Sequence, residues 1–121
     1  LDASSSVGSF GVAGIYANSA TVVDLRNNLV VNNSIAGPLG KVVAYQRSSN
    51  SLSNYSLTSN NNNYYAGTPG PANLIYYDGS AGDQTLAEYK SRVSPRDECS
   101  VTENPPFLNI SVSPYNLHIQ V

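Results

Sequence analysis

This 121-residue chain has no methionine and no tryptophan, a single cysteine, and little charge. Each of these gaps excludes something. One cysteine, Cys99, leaves no internal disulfide framework and no cysteine-based zinc site. Following Asp97 and Glu98, it reads as an inert thiol and not as a nucleophile. Charged residues are 12% of the chain, about half the usual share. The net charge is −2 and the six basic residues are scattered, so no basic patch recommends nucleic acid or an anionic membrane as partner. No apolar run approaches the ~18–20 residues needed to span a bilayer, so membrane insertion is not expected. The chain opens on Leu1 and not on Met. We therefore expect residues 1–121 to be one segment, the C-terminal part of a longer protein, with another chain or an upstream region covering its N-terminal end.

Asparagine, serine and nine tyrosines carry the polar load instead. Uncharged surfaces of this kind suit extracellular β proteins, and the aromatic and β-branched content argues against disorder. One pattern occurs twice: an apolar run, an Asn step, then a second apolar run. It spans residues 20–33, with Val23, Leu25, Leu29 and Val31 alternating about Asn27-Asn28. It returns in looser form at residues 54–65, about Asn61-Asn62. Asparagine tolerates the left-handed backbone that a one-residue corner requires, so Asn27, Asn28, Asn61 and Asn62 are expected at corners between short strands.

Further short strands are expected around Ile15, Val43, Tyr64 and Ile75, and over residues 117–121, where His118 and Gln120 occupy the polar face. Residues 85–93 differ: Leu86, Tyr89 and Val93 recur at helical spacing, Thr85 and Glu88 form a capping box, and Ser94-Pro95 ends the run. Hairpin signals are scarce, Asp78-Gly79 being the one Asp-Gly pair. The spacing predicts an all-β fold, a right-handed parallel β-helix of about four to five coils with one short helix near residues 84–93. Val23, Leu25, Leu29, Val31, Val43, Leu57, Ile75, Phe107, Leu117 and Ile119 are expected to line its interior.

Five motifs in order strengthen that expectation: Leu25-Arg26-Asn27-Asn28-Leu29-Val30, Asn62-Asn63-Tyr64-Tyr65, the run from Thr85 to Tyr89, Asn104-Pro105-Pro106-Phe107-Leu108, and Asn116-Leu117-His118-Ile119. Together they resemble the C-terminal coils of right-handed parallel β-helix proteins of the pectin-lyase-like repeat type, abundant among secreted proteins of Bacteroidetes. The resemblance covers residues 15–121. It departs at Asn104-Pro105-Pro106, where an Asp-Pro is usual, and in the long Asn run at 60–63. It implies a secreted or bacterial cell-surface protein with polysaccharide-active or adhesive relatives, and it supplies no catalytic residue.

The residues themselves offer little chemistry. Asp24 and Arg26 lie two apart on a strand and read as a surface ion pair. Residues 78–83 hold two aspartates in a Gly-rich loop, the one hint of calcium, but without the ligand spacing of a calcium-binding loop. Asp97, Glu98 and Glu103 are the densest acidic patch and read as ordinary charge neutralisation on a loop with Arg92 and Arg96. His118, the sole histidine, has no carboxylate near it in sequence. No catalytic, metal or cofactor residue is therefore named. The paired tyrosines Tyr64-Tyr65 and Tyr76-Tyr77 must each point one ring inward and one outward, and outward rings are candidates for stacking on sugars. The expected function is a non-catalytic structural or adhesive module, with polysaccharide as the candidate partner. The alternative is the C-terminal fragment of a polysaccharide lyase or glycoside hydrolase whose catalytic coils lie upstream.

Overall fold

The computed structural model describes residues 1–114 and 116–119. Tyr115, Gln120 and Val121, two of which were expected in the last strand, lie outside the described residues. The elements are β1 (Val12–Ala17), β2 (Leu29–Val31), β3 (Val42–Arg47), β4 (Asn63–Tyr65), β5 (Asn73–Tyr77), β6 (Gly82–Asp83), α1 (Leu86–Val93), β7 (Phe107–Asn109) and β8 (Asn116–Ile119). They form a four-stranded sheet in the order β1-β3-β5-β6 and two two-stranded sheets, β2-β4 and β7-β8. β1, β3 and β5 run parallel, with Val12 beside Val42 and Val42 beside Asn73. β2 and β4 are also parallel, with Val30 beside Tyr64. β3 is the centre of the molecule. Its Val42, Val43, Ala44 and Tyr45 are all buried, as a strand with apolar residues on both faces must be.

Left-handed residues mark the turns between these strands. Asn27 (φ 57°), Asn61 (φ 58°) and Asp97 (φ 56°) adopt it at successive passes of the chain. The residues after the first two interlock: Asn28 donates from its backbone N and from Nδ2 to Asn62 Oδ1, both at 2.9 Å. Asn62 in turn donates Nδ2 to Leu25 O and to Asp97 Oδ1, both at 2.8 Å. Side-chain amides thus replace the ladder that short strands cannot extend round a corner.

α1 forms as its sequence directs. Thr85 Oγ1 accepts the Glu88 N–H at 3.3 Å, and Glu88 Oε2 accepts the Thr85 N–H at 2.9 Å. Both arms of the capping box are therefore made. The helix ends at Ser94, and it buries Tyr89 and Val93 in the core beside Tyr76.

Two expectations are corrected. The chain is not a right-handed parallel β-helix of four to five coils but a set of small sheets of mixed direction. β5 turns back into β6 as an antiparallel hairpin at Asp78-Gly79, where Gly79 takes φ 95°. β7 and β8 pair antiparallel as well. The interior differs too. Val43 and Ile75 are buried, and Val23 and Leu25 pack partly against the core. Leu29, Leu57, Leu117 and Ile119, however, are 54–66% exposed, and Val31 and Phe107 are half-buried. In β2 the inward residue is Val30, one step from the alternation expected, because the corner at Asn27 shifts which side chain faces the core.

Candidate functional site

Tyrosine, not aliphatic side chains, fills the centre. Tyr45, Tyr55, Tyr64, Tyr76 and Tyr89 are buried, with Tyr45 within 6.4 Å of the other four ring centroids. Two of them, Tyr55 and Tyr89, hold Asp97, itself fully buried. Tyr55 OH donates to Asp97 Oδ2, and Tyr89 OH donates to the same oxygen at 2.6 Å. Oδ1 accepts from Ser100 Oγ at 2.6 Å and from Asn62. Four donors satisfy the carboxylate, which is how a buried acid is tolerated. Burial pushes the Tyr55, Tyr64 and Tyr89 hydroxyls well above the ordinary tyrosine range, with Asp97 adding to the rise. Burial, with Asp78 nearby, pushes Tyr76 up to about 12. Two guanidiniums lie over the Tyr55 ring, Arg47 at 5.3 Å and Arg96 at 5.5 Å. Arg47 is buried and donates to Tyr45 OH at 2.9 Å, to Ser51 O at 2.8 Å and to Asn54 Oδ1. This polar heart was not legible in the sequence, where Asp97 read as part of an acidic loop patch neutralised by Arg92 and Arg96. The signal that could have found it is the set of tyrosines at core-facing strand positions, whose hydroxyls need an acceptor once buried.

The other two buried acids, Asp83 and Asp78, are also engaged. Arg92 grips Asp83 with two donors, Nε at 2.6 Å and Nη2 at 2.7 Å, and this raises the Arg92 pKa further. Asp78 Oδ1 accepts the Ser80 and Ala81 N–H groups and Ser80 Oγ, at 3.0, 2.7 and 3.0 Å. Although burial opposes ionisation, those bonds hold the Asp78 carboxyl below its usual value. The 78–83 loop, the hint of calcium, is thus a hairpin turn held by its own aspartate, with Arg92 on the second acid. Among the described residues, no group of three His, Cys, Asp or Glu is placed to hold a metal. Asp24 and Arg26 form the surface ion pair at 2.9 Å. Cys99 and His118 are exposed.

The four candidate tyrosines do not share a surface. Tyr64 and Tyr76 are fully buried, beyond the reach of a ligand. Tyr65 and Tyr77 are half-buried and sit on different sheets, β4 and β5. The parallel register instead builds a row that the sequence did not reveal: Tyr16 on β1, Gln46 on β3 and Tyr77 on β5 stand side by side. Tyr16 is 59% exposed. Lys41 Nζ lies 5.5 Å from the Tyr77 ring centre, and Tyr77 OH donates to Gly79 O at 2.9 Å. Gln46 and Tyr77 line a shallow depression of about 330 Å³ with Lys41, Ser9 and Gly11. Glycine is required beside it: a Cβ on Gly40 would sit 1.6 Å from Phe10 O, and one on Gly11 2.8 Å from Lys41 O. Here an aromatic ring, an amide and an ammonium converge on one open hollow.

A second hollow of about 500 Å³ is apolar. Leu29 and Val31 of β2 form one side, and Phe107, Ile110 and Leu117 of the β7–β8 hairpin the other. No described helix is long and apolar enough to cross a membrane. No family model, no curated protein and no solved structure matches this chain.

Proposed function

We propose that this chain is a non-catalytic binding module of a secreted or cell-surface protein, and that its ligand is a polysaccharide laid across the outward row Tyr16–Gln46–Tyr77. That row carries the reading. Sugar rings offer C–H faces to aromatic rings and hydroxyls to amides and ammonium groups, and Tyr16, Gln46 and Lys41 present those partners on one surface. Strands spaced ~4.8 Å apart put Tyr16 and Tyr77 roughly 10 Å from each other, so an extended glycan can meet both with the Gln46 amide between them. The three parallel strands beneath are paired in register and back onto the buried core through β3 and β5. The low charge of the chain fits a neutral ligand.

The three buried carboxylates are engaged within the fold and are not offered to a substrate. General acid–base work needs a carboxyl free to exchange its proton with substrate. Asp97 is saturated by four donors, Asp83 is clamped by Arg92, and Asp78 closes its own turn. Affinity electrophoresis through gels carrying neutral and acidic polysaccharides tests the reading. The chain should be retarded by at least one of them, and Tyr16→Ala should relax the retardation by about fivefold in affinity, ~1 kcal/mol. Mobility that no polysaccharide alters, or that Tyr16→Ala and Gln46→Ala leave unchanged, would defeat it.

A further inference from the structure

The Tyr16–Gln46–Tyr77 row runs across the strands, and it continues by one member. β6 pairs with β5 so that Gly82 stands beside Tyr77. A Cβ on Gly82 would lie 3.4 Å from Tyr77 Cδ2 and 2.7 Å from Leu74 Cδ1, so the position faces the same side of the sheet and has no room for a side chain. Gly82 is itself exposed. The row is therefore a track over four strands: ring, amide, ring and bare backbone. No offset interrupts it, because Tyr16 is the direct partner of Gln46, and Gln46 of Tyr77. Its four members carry no charge. The Tyr77 hydroxyl, donating to Gly79 O at 2.9 Å, fixes the placement of its ring.

We propose that the ligand is a flat ribbon, a neutral β-1,4-linked chain of pyranoses lying across the strands with one sugar over each; this rests on the chain being a polysaccharide binder. Two periods agree. An extended β-1,4 chain advances by about 5 Å per pyranose, close to the ~4.8 Å between neighbouring strands. Successive residues of such a chain are turned over, so every second sugar presents the same C–H face. Tyr16 and Tyr77, two strands and roughly 10 Å apart, then meet identical faces of the first and third sugars. The second sugar, turned over, brings a hydroxyl edge to the Gln46 amide, which both donates and accepts. The fourth passes over Gly82 without obstruction. A coiling chain, such as an α-1,4-linked glucan, rotates each ring out of the plane of the last. It cannot lie flat on both tyrosines. The row thus selects by the shape of the glycan backbone and not by charge.

Titration calorimetry of the intact chain with oligosaccharides graded from disaccharide to hexasaccharide tests the proposal. The probes are the β-1,4-linked glucose, mannose and N-acetylglucosamine series, with α-1,4-linked glucose as the coiled comparator. At least one β-1,4 series should gain about tenfold in affinity between disaccharide and trisaccharide, where the second ring is first reached, and level off beyond the tetrasaccharide. The coiled series should bind at least about tenfold more weakly at every length. Tyr16→Ala, at an exposed side chain, should erase the step: the trisaccharide falls to the affinity of the disaccharide, which keeps its own on Gln46 and Tyr77. A variant that failed to fold would lose both ligands, so the two outcomes are distinct. Equal affinity for the coiled series, or no step between disaccharide and trisaccharide, would overturn the ribbon and leave the polysaccharide reading standing. A chain that no polysaccharide retards would bring down both.

Discussion

The tyrosine heart and the β7–β8 hairpin both draw on large apolar and aromatic side chains, yet they stand at opposite extremes of burial. In the heart, five rings and a carboxylate are closed off from water, and the carboxylate is held by four donors while the Tyr64 and Tyr76 hydroxyls are buried without a partner. In the hairpin, Leu108, Ile110, Val112, Leu117 and Ile119 are all 49–67% exposed, and two strands of three and four residues are held by little besides each other. A two-stranded hairpin is marginal by itself in water. Apolar content therefore does not set where the core lies. What sets it is whether a segment has a second layer to pack against, and only the passes carrying β1 to β5 and α1 do.

The sharpest way to break this contrast is Asp97→Ala. It leaves the hydroxyls of Tyr55, Tyr89 and Ser100 and the Asn62 amide without their acceptor, and should cost about 3 kcal/mol or more in urea unfolding. A loss below 1 kcal/mol would mean that the heart does not govern stability.

Alkaline titration comes next. The buried tyrosines hold their protons in the folded state above the pH at which an unfolded chain releases them, near 10. Their contribution is whole below pH 10 and declines as pH rises toward about 12, the Tyr76 value. Each such tyrosine should remove about 1.4 kcal/mol per pH unit over that window. Tyrosinate absorbance should then rise together with unfolding measured by circular dichroism, and separate transitions would contradict the burial.

A paired substitution resolves detail within the heart. Tyr89→Phe deletes a donor to Asp97 and should cost about 1 kcal/mol in the same urea assay. Tyr76 OH is buried without a partner, so Tyr76→Phe should be neutral or slightly stabilising. Equal losses from the two would show that ring packing outweighs the hydroxyl network. The smallest effect belongs to the hairpin, where Leu108→Ser should move the urea midpoint by no more than ~0.5 kcal/mol equivalent.

Local features of this fold were legible in the sequence where a single residue type does a single job. Thr85 and Glu88 announced α1 because a capping box needs only four residues. Asn27 and Asn61 stand at left-handed corners because few other side chains tolerate that backbone. Each tyrosine pair did send one ring inward, since strand alternation is local. The long-range assembly was another matter. Leu29 and Val31 alternated as core residues should, and a one-step shift at the corner turned them outward in favour of Val30. Asp97 read as one acid of a loop patch because its four donors come from residues 55, 62, 89 and 100, gathered only by folding. The Tyr16–Gln46–Tyr77 row is likewise a product of register between three strands, which no single stretch of chain encodes.

The closed ring of tyrosines has an optical consequence. With no tryptophan present, near-ultraviolet signals come from tyrosine, and five of the nine sit in the heart in fixed, dissimilar orientations. Near-ultraviolet dichroism, which fades when side-chain packing loosens even while backbone structure persists, therefore watches the heart and is nearly blind to the described part of the hairpin. The protein carries its own probe at the point where its order is greatest, and a melt followed in that band reads the loss of specific packing without any label.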